Sequence, residues 1–167
     1  MKEELNFQSP YKVFFEENVY TFETKNNHKY RVSFNLSNDY FEYTSTFKEL
    51  KKVYTLNVEK ISSHKEPLDV KVQKTIDQIL QFFFEDPENS IIYLCDFQDN
   101  RELKRRNHFN KWFENSSFKN QVIKIDDIIE TEDLNYYTSI IYTKHNPLRK
   151  YLETAYIEML YFLKNKN

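Results

Sequence analysis

No glycine occurs anywhere in the 167 residues, where ordinary usage of about 7% would supply roughly twelve. Phosphate loops built on glycine need backbone that can approach a phosphate closely and adopt positive φ. A P-loop, a dinucleotide-binding fingerprint and a nucleophile elbow are therefore all ruled out. Tight turns fall instead to Asn and Asp, which tolerate the left-handed region best among the remaining residues.

The chain is long enough to bury a core without staples, and residues 1–167 are expected to form a single domain. Hydrophobic residues make up 40% of it and aromatic residues 17%, and the large area each ring buries compensates for the modest apolar fraction. Charged residues are nearly balanced at net −2, so any attraction to nucleic acid or acidic lipid has to be local. Cys95 is the single cysteine. It allows no intramolecular disulfide and no thiolate zinc site, and it suits a cytoplasmic location. No segment approaches the roughly 18 apolar residues of a membrane span, and the N-terminus lacks a secretory apolar run.

Residues 19–24 and 30–36 carry aromatic or branched side chains at every second position and predict a β-hairpin, with Tyr20 and Phe22 facing Tyr30, Val32, Phe34 and Leu36. Tyr54, Leu56 and Val58 predict a further strand near 52–60; residues 37–50 are either a strand or an irregular return. Val72, Ile76, Ile79, Leu80 and Phe83 then fall on one helical face, predicting a helix from about 69 to 85 with Asp69 as N-cap and Asp86-Pro87 as its stop. The apolar run Ser90–Cys95 reads as a central strand covered on both faces. Asp99 and Glu102 match a capping box opening a helix from about 100 to 115, with Leu103, Phe109, Trp112 and Phe113 on its apolar side. Residues 121–129 and 136–143 predict a second hairpin. A last helix follows, with Asn146 as N-cap and Pro147 at its first position, and Leu148, Leu152, Ala155, Met159 and Leu163 on one face. Strands in groups with helices between them imply an α+β fold, a mostly antiparallel sheet with about three helices packed on one face in two layers.

Chemistry concentrates between Cys95 and Phe113. At helical spacing Arg101, Arg105, His108 and Trp112 form one stripe, with Lys104 and Lys111 beside it and Asp96 just before it. Arg106 points about 100° away from Arg105, toward Leu103 and Phe113.

The residues Tyr93, Cys95, Asp96, Asp99, Arg101, Arg105, Phe109, Trp112 and Phe113, with Thr75-Ile76 upstream, resemble a family of small uncharacterised bacterial proteins. In that family a Tyr-x-Cys-Asp strand end leads to an Arg-rich helix and a Trp-Phe pair. The resemblance covers roughly 18–115 and departs at Asn100, where the family prefers glycine. It implies a stable shared fold and assigns no reaction.

Three functional readings compete with structural ones. Asp96, Asp99 and His108 suit a divalent metal and a metal-dependent phosphodiesterase or nuclease, yet Asp99 and Glu102 already serve as helix cap and box partner. Cys95 with His108 suggests a thiol nucleophile, but a cysteine ending an apolar strand is more often buried and inert. Arg101, Lys104, Arg105, Arg106, Lys111 and Trp112 suit a phosphate backbone and a stacked base, against a solvated helix face whose aromatic residues fill the core. The reading that survives is a non-catalytic interaction or accessory module of a bacterial cytoplasm. It needs no cofactor and no metal, and meets a protein or single-stranded nucleic-acid partner through Asp96, Arg101, Lys104, Arg105, His108, Lys111 and Trp112. The metal-dependent hydrolase is the alternative.

Overall fold

The computed structural model describes residues 1–62, 69–95, 102–130 and 135–165. Eight strands form one sheet in the order β1-β2-β3-β4-β5-β6-β8-β7. The expected hairpin is β3 (Val19–Glu23) and β4 (Lys29–Leu36). Tyr20 lies opposite Val32 and Phe22 opposite Tyr30, and the Phe22 and Tyr30 rings stack 5.1 Å apart. β5 (Val53–Lys60) pairs antiparallel with β4. The stretch between them is an irregular return of two short 3-10 turns, Asn38–Phe41 and Phe47–Glu49.

Two strands at the N-terminal edge go beyond the expected layout: β1 (Glu3–Leu5) and β2 (Val13–Glu16). β2 joins β3 through Glu17 and Asn18, both at positive φ (49° and 64°), the two-residue hairpin geometry that matches strand twist. Asn18 and, in the next turn, Asn27 at φ 60° are the residues a glycine-free chain is expected to use. Glu17 is not, because its Cβ crowds the following carbonyl at a cost of about 1 kcal/mol.

In the other half, α1 (Val70–Phe83) connects β5 to β6 (Ser90–Cys95), the one parallel pair among the described strands. α2 (Glu102–Glu114) follows, then the predicted hairpin β7 (Val122–Glu130) and β8 (Asn135–Thr143), and α3 (Arg149–Lys164). Asn146 does not cap α3 itself. It accepts the Leu148 backbone N–H at 2.7 Å in the turn before the helix, and the helix starts two residues later than the Pro147 signal implies.

The class is α+β, with a mostly antiparallel sheet and three helices packed on it, but the layering differs from the expected two. Alternate residues of β6 and β8 enter different cores. Ile91 and Ile141 pack with α1 and Phe113 of α2, whereas Ile92, Ile140 and Tyr142 pack with Leu152, Ala155, Tyr156 and Met159 of α3. Helices therefore cover both faces of this half. An amphipathic pattern specifies that a helix buries one side and is silent about which sheet face receives it.

Asp69 holds the entry to α1. Its carboxylate accepts the Lys71 backbone N–H at 2.9 Å and the hydroxyl of Tyr11. The Tyr11 hydroxyl and then the Lys71 backbone N–H hold the acid below its ordinary pKa. This contribution is present above the ordinary carboxylate pKa and is lost as pH falls through the lowered value. Asp69→Ala is expected to cost about 1–2 kcal/mol in urea unfolding at pH 7, and Tyr11→Phe less, because the cap remains.

Candidate functional site

The ladder between β5 and β6 consists of two residue pairs, Val53 with Ser90 and Tyr54 with Ile91. Where it stops, Leu56 and Val58 of β5 and Ile91 and Tyr93 of β6 line a cavity of about 590 Å³, closed by Ile76 of α1 and by Lys104, Arg105, His108, Phe109 and Trp112 of α2. A second cavity of about 180 Å³ shares Ile76, His108 and Trp112 in its lining, with Val72, Gln73, Lys111 and Asn115 as its other walls. The site thus lies toward the carboxyl ends of the parallel strands, the position where ligand crevices form in sheets with such pairs.

The floor is apolar and the rim basic. Val58 is 42% exposed at the mouth, Lys104, His108 and Lys111 are exposed along α2, and Arg105 is half-buried. Among the described residues neither lining includes an acid. Tyr93 stacks on Phe109 at 4.3 Å. Burial, followed by a hydrogen bond with the Cys95 side chain, pushes its hydroxyl above the ordinary tyrosine value, while the Arg105 charge works the other way. Cys95 itself is buried.

Trp112 is fixed from beneath. The side chain of Asp77, 5% exposed on α1, hydrogen-bonds with the Trp112 side chain and the Ser117 backbone, yet burial outweighs both and raises its pKa to about 6. Phe118 packs against Trp112 at 5.8 Å. On the far side of α2, Lys124 extends its ammonium under the helix. It donates to Asn110 Oδ1 at 3.0 Å and to Asp126, and lies 5.6 and 5.5 Å from the Phe109 and Phe113 ring centroids.

Of the residues expected to form the site, Lys104, Arg105, His108, Lys111 and Trp112 come together around these cavities; Asp96 and Arg101 lie outside the described residues, as does the proposed cap Asp99. Leu103, expected on the apolar side of α2, is 52% exposed, because the helix is rotated so that Phe109 and Phe113 meet the sheet. Arg106, expected to turn toward Leu103 and Phe113, places its guanidinium 4.3 Å above the Tyr137 ring of β8. The floor from Leu56, Val58, Ile76 and Tyr93 escaped sequence reasoning because each fits an ordinary core position. Lys124 and Asp126 carried a usable signal: two charges in the phase of β7 that also holds buried Val122.

Among the described residues no group of His, Cys, Asp and Glu could hold a metal ion, which gives the hydrolase reading no support. No described helix is long and apolar enough to cross a membrane.

A protein-family model matches residues 68–157, that of a family of unknown function (DUF6169). The match begins at α1 and reaches into α3, further toward the C-terminus than the 18–115 over which a resemblance was expected. No curated protein matches the chain.

Proposed function

Taking as premise that the chain belongs to the family of unknown function DUF6169, we propose that it is a non-catalytic binding module receiving an anionic partner with an apolar body in the groove between α1 and α2. The observation that carries this is the convergence of Lys104, Arg105, His108 and Trp112 on one apolar-floored cavity, with Lys111 on the smaller cavity beside it. The volume falls in the range of small-ligand sites, and a mostly apolar lining with a few convergent polar groups is their usual composition. Of the two partner classes expected from the sequence, the floor favours a protein or other partner that inserts an apolar group over a single-stranded nucleic acid. Trp112, the residue expected to stack a base, already packs against Phe109 at 5.7 Å and Phe118 at 5.8 Å, so less of its ring is open to one. The lone buried cysteine suits a reducing compartment such as a bacterial cytoplasm.

Trp112 is the single tryptophan and lines both cavities, so its emission reports the site alone. Titration with anilinonaphthalene sulfonate, an anion with an apolar body, is expected to quench Trp112 saturably and less strongly as salt rises. Lys104→Glu with Lys111→Glu is expected to weaken this at least tenfold without lowering the melting temperature, since both side chains are exposed. Unchanged Trp112 emission, or equal binding by the double variant, would overturn the reading. Manganese-dependent cleavage of an oligonucleotide, lost in His108→Ala, would replace it with the hydrolase.

A further inference from the structure

The chemistry of the cavity narrows the partner further. Its floor is aliphatic where β5 and β6 part, with Leu56, Val58, Ile76 and Ile91 contributing only hydrocarbon. Among the described side chains lining the larger cavity outside its cationic rim, the polar groups are the Tyr93 hydroxyl, engaged with Cys95, and the Trp112 indole N–H, engaged with Asp77. A nucleobase or a sugar inserted there would find few side-chain donors or acceptors on the floor to meet its own. A plain alkyl chain brings no donor or acceptor of its own that needs a partner. At the rim, Lys104 and His108 stand one helical turn apart, both exposed at the mouth.

We propose that the cavity holds the alkyl chain of a medium-chain fatty acid, with the carboxylate at the rim between Lys104 and His108. This inference rests on the binding-module reading and commits the same groove to one ligand class. The chain supplies affinity through buried hydrocarbon, and each methylene that enters the floor tightens binding by about threefold to fourfold. The carboxylate supplies orientation, since a basic rim over an apolar floor accepts the anion outermost and disfavours a cationic amphiphile of the same length.

The test is calorimetric titration of the full chain with octanoate, decanoate and laurate below their micellar range, with decanol and decylammonium as neutral and cationic controls. Trp112 emission is followed in parallel. Saturable one-to-one binding is expected, tightening with chain length until the cavity is full, with decanol weaker and decylammonium weakest. Val58→Glu places a carboxylate at the mouth, on a residue exposed enough to accept it, and is expected to weaken decanoate binding at least tenfold. Should that variant not fold, displacement of anilinonaphthalene sulfonate by decanoate in the wild type gives the same answer. Sulfonate binding that decanoate cannot displace, but an acidic peptide or oligonucleotide can, would sink the fatty-acid assignment while leaving the binding module intact. Decylammonium binding as tightly as decanoate, or binding only as micelles form, would sink it equally. Failure of both sulfonate and decanoate would remove the module reading along with it.

Discussion

Asp77→Asn is expected to raise the melting temperature at neutral pH by several degrees. The Asp77 carboxyl is held at about 6 against an ordinary value of 3.8, by burial first, with hydrogen bonds from the Ser117 backbone and the Trp112 side chain opposing it. A folded-state pKa raised above the unfolded value means that the native state binds the proton more tightly. The associated stability is whole below about 3.8 and is lost as pH rises through about 6. Above that, ionised Asp77 costs about 3 kcal/mol relative to its neutral form. The side chain is well buried and one of its oxygens, Oδ1, has no hydrogen-bond partner among the described residues. Asn keeps an acceptor for the Trp112 and Ser117 donors and removes the charge, so about 1–3 kcal/mol should be recovered at pH 7.5. That range allows for the new amide N–H groups, which need partners of their own. Urea midpoints measured from pH 4 to 8 decide the matter: wild-type stability should fall between pH 4 and 6 relative to Asp77→Asn, and parallel curves would show that Asp77 is not the titrating group.

Phe118→Ala is expected to cost about 3–5 kcal/mol and to lower the melting temperature on the order of ten degrees. Phe118 is 1% exposed and meets Phe84 just after α1 at 5.9 Å and Trp112 and Phe113 of α2 at 5.8 and 6.1 Å. Removing the ring leaves a cavity where the ends of two helices meet, and these neighbours are held too firmly by their own elements to collapse into it. Phe118→Leu should recover more than half of the loss. Trp112 emission should shift to the red in the alanine variant before global unfolding, because the indole loses the ring packed against it. Loss of stability with unaltered emission would mean that Phe118 supports the fold without supporting the site.

Where neighbouring side chains carry a period, the sequence is readable. The β3–β4 hairpin, β5, α1 with its Asp69 cap and the β7–β8 hairpin follow from alternation or from a helical face, and β6 from its continuous apolar run. β2 does not, because Val13-Phe14-Phe15 is too short a run to carry a period and its turn uses Glu17, a residue that signals no turn. The placement of α3 on the opposite sheet face from α1 and α2 is a long-range property, set by which strand residues point where and not by the helix's own pattern. The candidate site divides the same way. Its basic rim is one stripe of one helix and is visible in the chain. Its floor joins Leu56, Ile76 and Tyr93, residues far apart in sequence that become neighbours only once β5-α1-β6 has crossed over.

The narrow β5–β6 ladder has a mechanical consequence. Strands β1 to β5 are stitched to one another by continuous antiparallel ladders, and so are β6, β8 and β7, but among the described residues the two blocks meet through two ladder pairs. Few backbone bonds resist a small rotation of one block against the other; the resistance comes from α1 and from side chains packed across the seam. A ligand bound in the proposed site would lie where that seam ends, between two blocks held together more by side-chain packing than by backbone hydrogen bonds.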